Sequence, residues 1–184
     1  EGLFQHFIKI ADTVEIPQIL YNVPSRTACD LRPETVMRLA NHQNIVGIKE
    51  ALDDSERLSE LIRISESIAD QKKFSVFSGD DPSFNSFMAN GGDGVISVAA
   101  NIVPNYISQI CSLNISDQFD DAKELNSILQ NLYELLFIES NPIPVKWMLN
   151  RMKRIQSGIR LPLVPYNEAF HEKTINEMIK LKLI

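Results

Sequence analysis

The sequence predicts an α/β protein built on a parallel sheet. Two observations carry this: four short apolar runs recur at intervals along the first hundred residues, and an amphipathic stretch of helical period separates each run from the next. Strands alternating with helices through brief loops imply right-handed βαβ units, either doubly wound or closed into a barrel. The pattern alone leaves both closures open.

The elements follow in order. Gly2 to Val14 reads as a helix already in progress, because Leu3, Phe7, Ile10 and Val14 recur at spacings of three and four. The strands are expected at Gln18 to Val23, Ile45 to Glu50, Phe74 to Gly79 and Gly94 to Ala99. Helices are expected near Pro33 to Ala40, Ser55 to Ile68 and Pro82 to Asn90, and again after Pro104; proline opens three of them, since its fixed φ suits a first helical turn. Gly91, Gly92 and Gly94 precede a strand rather than open a helix, so they read as a helix end and tight turn and not as a phosphate cradle.

Beyond residue 116 the strands stop. Helical patterns run over Asp117 to Phe137, with Phe119, Ala122, Leu125, Leu129 and Leu132 on one stripe, then over Pro144 to Arg154 and Asn167 to Leu183. Proline-punctuated turns lie at Asn141 to Pro144 and Leu161 to Pro165. The expected division is therefore an α/β part over residues 1–116 and a helical region over 117–184.

Composition bounds the function. With 184 residues, 44% hydrophobic and 23% charged, the chain can bury a substantial core. A net charge of -6 argues against nucleic-acid and anionic-membrane partners, which its field would repel. No apolar run approaches the roughly 18 residues of a membrane span. Cys29 and Cys111 have neither CxxC spacing nor a nearby histidine pair, and both are expected to be buried, inert thiols.

Chemistry concentrates at the strand ends. Ile45, Gly47 and Lys49 share one face of an extended strand, so Lys49 ends an otherwise apolar row. Tyr21 takes the matching place on the preceding strand, with Pro24 ending that strand soon after. The carboxyl edge of a parallel sheet is where active sites assemble in barrels and open sheets alike. A lysine adds to a ketone only as the free amine, which desolvation at such an edge would favour. A neighbouring tyrosine could shuttle protons through imine formation, and Arg26, just past the proline turn, is placed to meet a carboxylate with its guanidinium fork.

These residues carry a family resemblance. YNVPSRT at Tyr21 to Thr27 and GIKEA at Gly47 to Ala51 resemble the lysine-containing signature of the dihydrodipicolinate synthase family, within the N-acetylneuraminate lyase superfamily of pyruvate-dependent class I aldolases. The likeness continues through SGDD at Ser78 to Asp81, GGDGVISVAAN at Gly91 to Asn101 and NPIPVKW at Asn141 to Trp147.

The resemblance implies a (β/α)8 barrel of which this chain is the C-terminal half, followed by a helical region. It implies that Lys49 forms a Schiff base with pyruvate, that Tyr21 relays protons, and that Arg26 binds the carboxylate of L-aspartate 4-semialdehyde. Gly79 and Ile96 fall where the family lines the pyruvate pocket. The implied reaction gives 4-hydroxy-tetrahydrodipicolinate for lysine biosynthesis through diaminopimelate, in a cytoplasmic homo-oligomer, with no metal or organic cofactor. An N-acetylneuraminate lyase is the nearest alternative, but it normally lacks the arginine after the proline turn. Ala28 stands where the family commonly has glycine, so a positive-φ backbone there would be strained.

A barrel needs about 250 residues, and the chain also lacks an initiator methionine, so it is expected to be a piece of a longer enzyme and inactive alone. The absent half would carry the family's relay threonine, a second tyrosine donated across a dimer interface, and the lysine feedback site. A non-catalytic half-barrel that serves as a structural or interaction module is the other reading.

Overall fold

The computed structural model describes residues 1–184, which divide into two compact units, Glu1–Ile96 and Ser97–Ile184. The first begins with α1 (Gly2–Thr13), β1 (Gln18–Asn22), the single turn α2 (Pro24–Thr27) and α3 (Pro33–Ala40). It continues with β2 (Ile45–Glu50), α4 (Ser55–Ser67), β3 (Ser75–Ser78), α5 (Phe84–Ala89) and β4 (Gly94–Val95). All neighbouring strands run parallel, in the order β1-β2-β3-β4. Each strand is thus laid beside its predecessor with no reversal, as in a barrel; a doubly wound sheet reverses its order at a switch point.

Burial explains the layers. Leu20, Ile45, Ile48 and Val76 from the sheet pack in one cluster with Val36 and Leu39 of α3 and Leu58, Leu61 and Ile64 of α4. The α4 stripe has helical spacing, and its first turn is capped by Asp54, whose Oδ1 accepts from the Glu56 and Arg57 amides at 3.0 Å. Gly47 has no alternative: a Cβ there would stand 2.5 Å from the carbonyl oxygen of its partner Ser75. At the amino end of β2 the Lys72 ammonium donates to the carbonyls of His42 at 2.5 Å and Ile45 at 2.6 Å.

The fourth strand is shorter than the apolar run implies. Its pairing with β3 covers only Gly94 and Val95. The Ile96 amide still reaches the Ser78 carbonyl at 2.9 Å, after which Ser97 Oγ accepts from the Ala100 amide and the chain turns into a 3-10 segment at Ala99–Asn101.

The second unit holds α6 (Pro104–Ile115), α7 (Phe119–Ser127), α8 (Gln130–Leu136), α9 (Ile143–Arg151) and α10 (His171–Lys180). Helix α6 joins α7 in this unit, on either side of the 116/117 position where the sequence pattern changes. The single helix expected over Asp117 to Phe137 is two helices. The break centres on Asn126, whose carbonyl is taken by the Leu129 amide at 3.1 Å and by Gln130 Nε2 at 3.2 Å, while its Oδ1 accepts from the Tyr133 hydroxyl at 2.8 Å. The Asn126 carbonyl thus takes an amide three residues on and a side-chain amide in place of a continued helical bond. The thiols also differ from expectation: Cys29 is exposed and Cys111 is only partly covered, because Cys29 lies just past the exposed turn of α2 and outside any apolar stripe.

Candidate active site

Tyr21 and Lys49 are direct register partners near the carboxyl ends of β1 and β2. Strand alternation sends their side chains to one face, while Leu20, Asn22, Ile48 and Glu50 point to the other, where helices bury them. On the open face Tyr21 is 42% exposed, and Lys49 Nζ lies 4.3 Å from the centroid of its ring. The third strand supplies room for the lysine stem. A Cβ at Gly79 would come within 2.9 Å of Lys49 Cε and 3.1 Å of Cγ, so any larger residue there would push the lysine stem aside.

The electrostatics weaken the basicity of the amine. Desolvation pulls the Lys49 pKa below the usual lysine range, the Asp81 carboxylate opposes this, and the Arg26 charge adds to the lowering. Arg26 sits on α2, where Pro24 starts the turn and the Val23 carbonyl receives the Arg26 and Thr27 amides at 2.9 and 3.1 Å. Ala28 then closes it in the left-handed region at φ 52°. The guanidinium is exposed and makes no ion pair, which leaves its fork available to an anion. Ile96, 44% exposed, follows β4 directly at the same end of the sheet. All five residues singled out in the sequence thus lie at or just beyond the carboxyl ends of the four strands.

Sequence reasoning passed over Asp81 and the pair Asn22 and Glu50, all 1% exposed. Asp81 closes the SGDD run immediately after β3, and a second acid beside Gly79 at a strand end was the signal for it. For Asn22 and Glu50 the signal was a polar residue on each strand's helix-facing side.

The fold is half of a (β/α)8 barrel, with a lysine amine and a tyrosine paired at the carboxyl edge of its sheet. Comparison with known proteins gives the family. The model of the dihydrodipicolinate synthetase family matches residues 1–181. The 4-hydroxy-tetrahydrodipicolinate synthase of Coxiella burnetii (strain Dugway 5J108-111) is 51% identical over 173 residues, 94% of this chain and 57% of that protein. The same enzyme from Alcanivorax borkumensis is 53% identical over 169 residues, 92% of this chain and 56% of that protein. Among solved structures, the chloride-inhibited dihydrodipicolinate synthase of Acinetobacter baumannii complexed with pyruvate superposes with a TM-score of 0.91 at 47% identity, covering 100% of this chain and 61% of that one. The chain belongs to the dihydrodipicolinate synthetase family. It spans 57% of the length of the Coxiella relative.

Proposed function

We propose that this chain carries the Schiff-base part of a 4-hydroxy-tetrahydrodipicolinate synthase, which condenses pyruvate with L-aspartate 4-semialdehyde. The observation that carries the reading is the desolvated Lys49 amine 4.3 Å above the Tyr21 ring at the carboxyl end of a parallel sheet. The neutral amine adds to the pyruvate ketone carbon. The resulting carbinolamine loses water to give the imine, with Tyr21 passing protons between nitrogen and oxygen. Loss of a methyl proton from the imine gives the enamine. Its carbon attacks the aldehyde carbon of the semialdehyde, whose carboxylate Arg26 holds by a charge-assisted fork.

The amino group of the bound semialdehyde then attacks the imine carbon and displaces Lys49, closing the ring and restoring the free amine. Gly79 and Ile96 line the pyruvate end of the site. No helix is long and apolar enough to cross a membrane; the reading assigns the enzyme to the cytoplasm, as a homo-oligomer that supplies lysine biosynthesis.

The test is borohydride trapping with pyruvate, followed by peptide mass spectrometry, on this chain and on the product of the longest reading frame that contains it. A reduced adduct on Lys49 that disappears in Lys49→Ala, with the far-ultraviolet circular dichroism unchanged, is the expected result. An adduct on another lysine, such as Lys146, would sink the assignment.

A further inference from the structure

Behind the open face lies a polar cluster that the chemistry above does not use. Asn22 and Glu50 form the register pair that follows Tyr21 and Lys49, on the buried side of the same strands. Asn22 Nδ2 donates at 3.0 Å to the two Glu50 carboxylate oxygens and to Asp30 Oδ1, while Asn22 Oδ1 accepts from the Leu31 amide at 2.9 Å. Glu50 Oε1 also accepts from the Leu52 amide at 2.9 Å, and Oε2 from Arg57 Nη1 at 3.3 Å. Arg57 Nη2 completes the ring of contacts on Asp30 Oδ2 at 2.6 Å, with Nη1 also 3.2 Å from the Leu31 carbonyl.

The main chain extends the same tie. The Asn22 carbonyl accepts from the Ala51 amide at 3.1 Å, and the Glu50 carbonyl from the Gly79 amide at 2.6 Å. One cluster therefore joins the ends of β1, β2 and β3 to the first turn of α4. Two carboxylates and a guanidinium are a poor source of stability when buried, since desolvation offsets their attraction. Their value lies in where they sit: peptide planarity and strand alternation mean that fixing residues 22 and 50 on one face fixes the directions of residues 21 and 49 on the other.

We propose that Asn22, Glu50 and Arg57 are positioning residues, whose hydrogen-bonded cluster sets the relative tilt of β1 and β2 that lays the Lys49 amine against the Tyr21 ring. The proposal rests on Lys49 being the nucleophile. Loosening the cluster lets the lysine swing toward water, which raises its basicity toward the ordinary lysine range and lowers the fraction present as free amine.

The experiment measures the rate of pyruvate trapping at Lys49 against pH, in the product of the longest reading frame containing this chain. The parent is compared with Asn22→Ala, which cuts the bridge between strands, and Arg57→Lys, which keeps the charge but loses the fork. For Asn22→Ala the expected result is an upward shift of the pH midpoint by about one unit, and so about a tenfold slower rate below it, with the parent's rate largely regained at high pH. Arg57→Lys shifts the midpoint the same way by less. A rate lowered equally at every pH, or a midpoint unmoved in both variants, would mean that the cluster serves stability only and would overturn the proposal. If Asn22→Ala does not fold, Arg57→Lys decides by the same criterion. A parent with no Lys49 adduct at any pH would overturn the functional reading itself, and is distinguished from failure of the cluster by that control.

Discussion

Arg26 stands on a single turn of helix and makes no ion pair, so on the proposed reading its substitution separates the two substrates. Arg26→Ala is expected to lower kcat/KM for aspartate semialdehyde about 10- to 100-fold, the range of one charge-assisted hydrogen-bonded contact, while pyruvate trapping at Lys49 continues. Loss of trapping instead would mean that Arg26 holds pyruvate. Two residues later, Ala28 occupies a left-handed conformation that costs an L-residue roughly 1–2 kcal/mol. Ala28→Gly is therefore expected to stabilise the chain by about 0.5–1 kcal/mol after the extra chain entropy of glycine is subtracted, measured by urea denaturation. The place of Arg26 just past the proline turn was legible from local sequence, whereas the left-handed backbone at Ala28 was read from the family's usual glycine at that position. Asn22 and Glu50 were legible only as polar residues on the helix-facing sides of their strands: their meaning depends on partners 28 residues apart and on Arg57 seven residues further on, pairings that no local pattern encodes.

Among the elements, β2 is the one whose bounds were readable throughout, from Ile45 to Glu50, because the apolar run and the turn signals coincide; the facing of Ile45 was not, since the register shifts between Gln18 and Ile19 and Ile45 packs on the helix side with Ile48 rather than on the face of Lys49. Its central glycine makes a firm prediction. Gly47→Ala places a methyl against the Ser75 carbonyl and is expected to cost about 1–3 kcal/mol, as overpacking does. It should also move Lys49, two residues along, so trapping should slow together with the fall in denaturation midpoint; trapping at the parent's rate would show that β2 and β3 can part without disturbing the edge. The break between α7 and α8 escaped the pattern because Phe119, Ala122, Leu125, Leu129 and Leu132 keep helical spacing straight through it. The interruption comes from how Asn126 spends its hydrogen bonds, which spacing does not record.

At the scale of the whole molecule, β1 and β4 are the two edges of the sheet, and Ile19 and Tyr21 stand 46% and 42% exposed on its open face. An uncapped edge beside exposed apolar side chains favours pairing with another copy. The 184-residue chain alone is therefore expected to sediment above its monomer mass at micromolar concentration; a clean monomer would contradict this. The barrel half was readable from the order of strands and helices together with the family likeness, whereas the partition at Ile96 depends on how α6 packs and could not be read from strand content. The molecule also contains its own control for amine reactivity. Burial lowers the basicity of Lys72 as it does that of Lys49, and the two lie at opposite ends of the same strand. Lys72, however, spends two of its N–H groups on carbonyls, which hold its nitrogen at the amino end of the strand. Lowered basicity is thus common to both ends of β2, but the Lys49 nitrogen rests against an aromatic face rather than between acceptors, which on the proposed reading leaves its lone pair free to meet an electrophile.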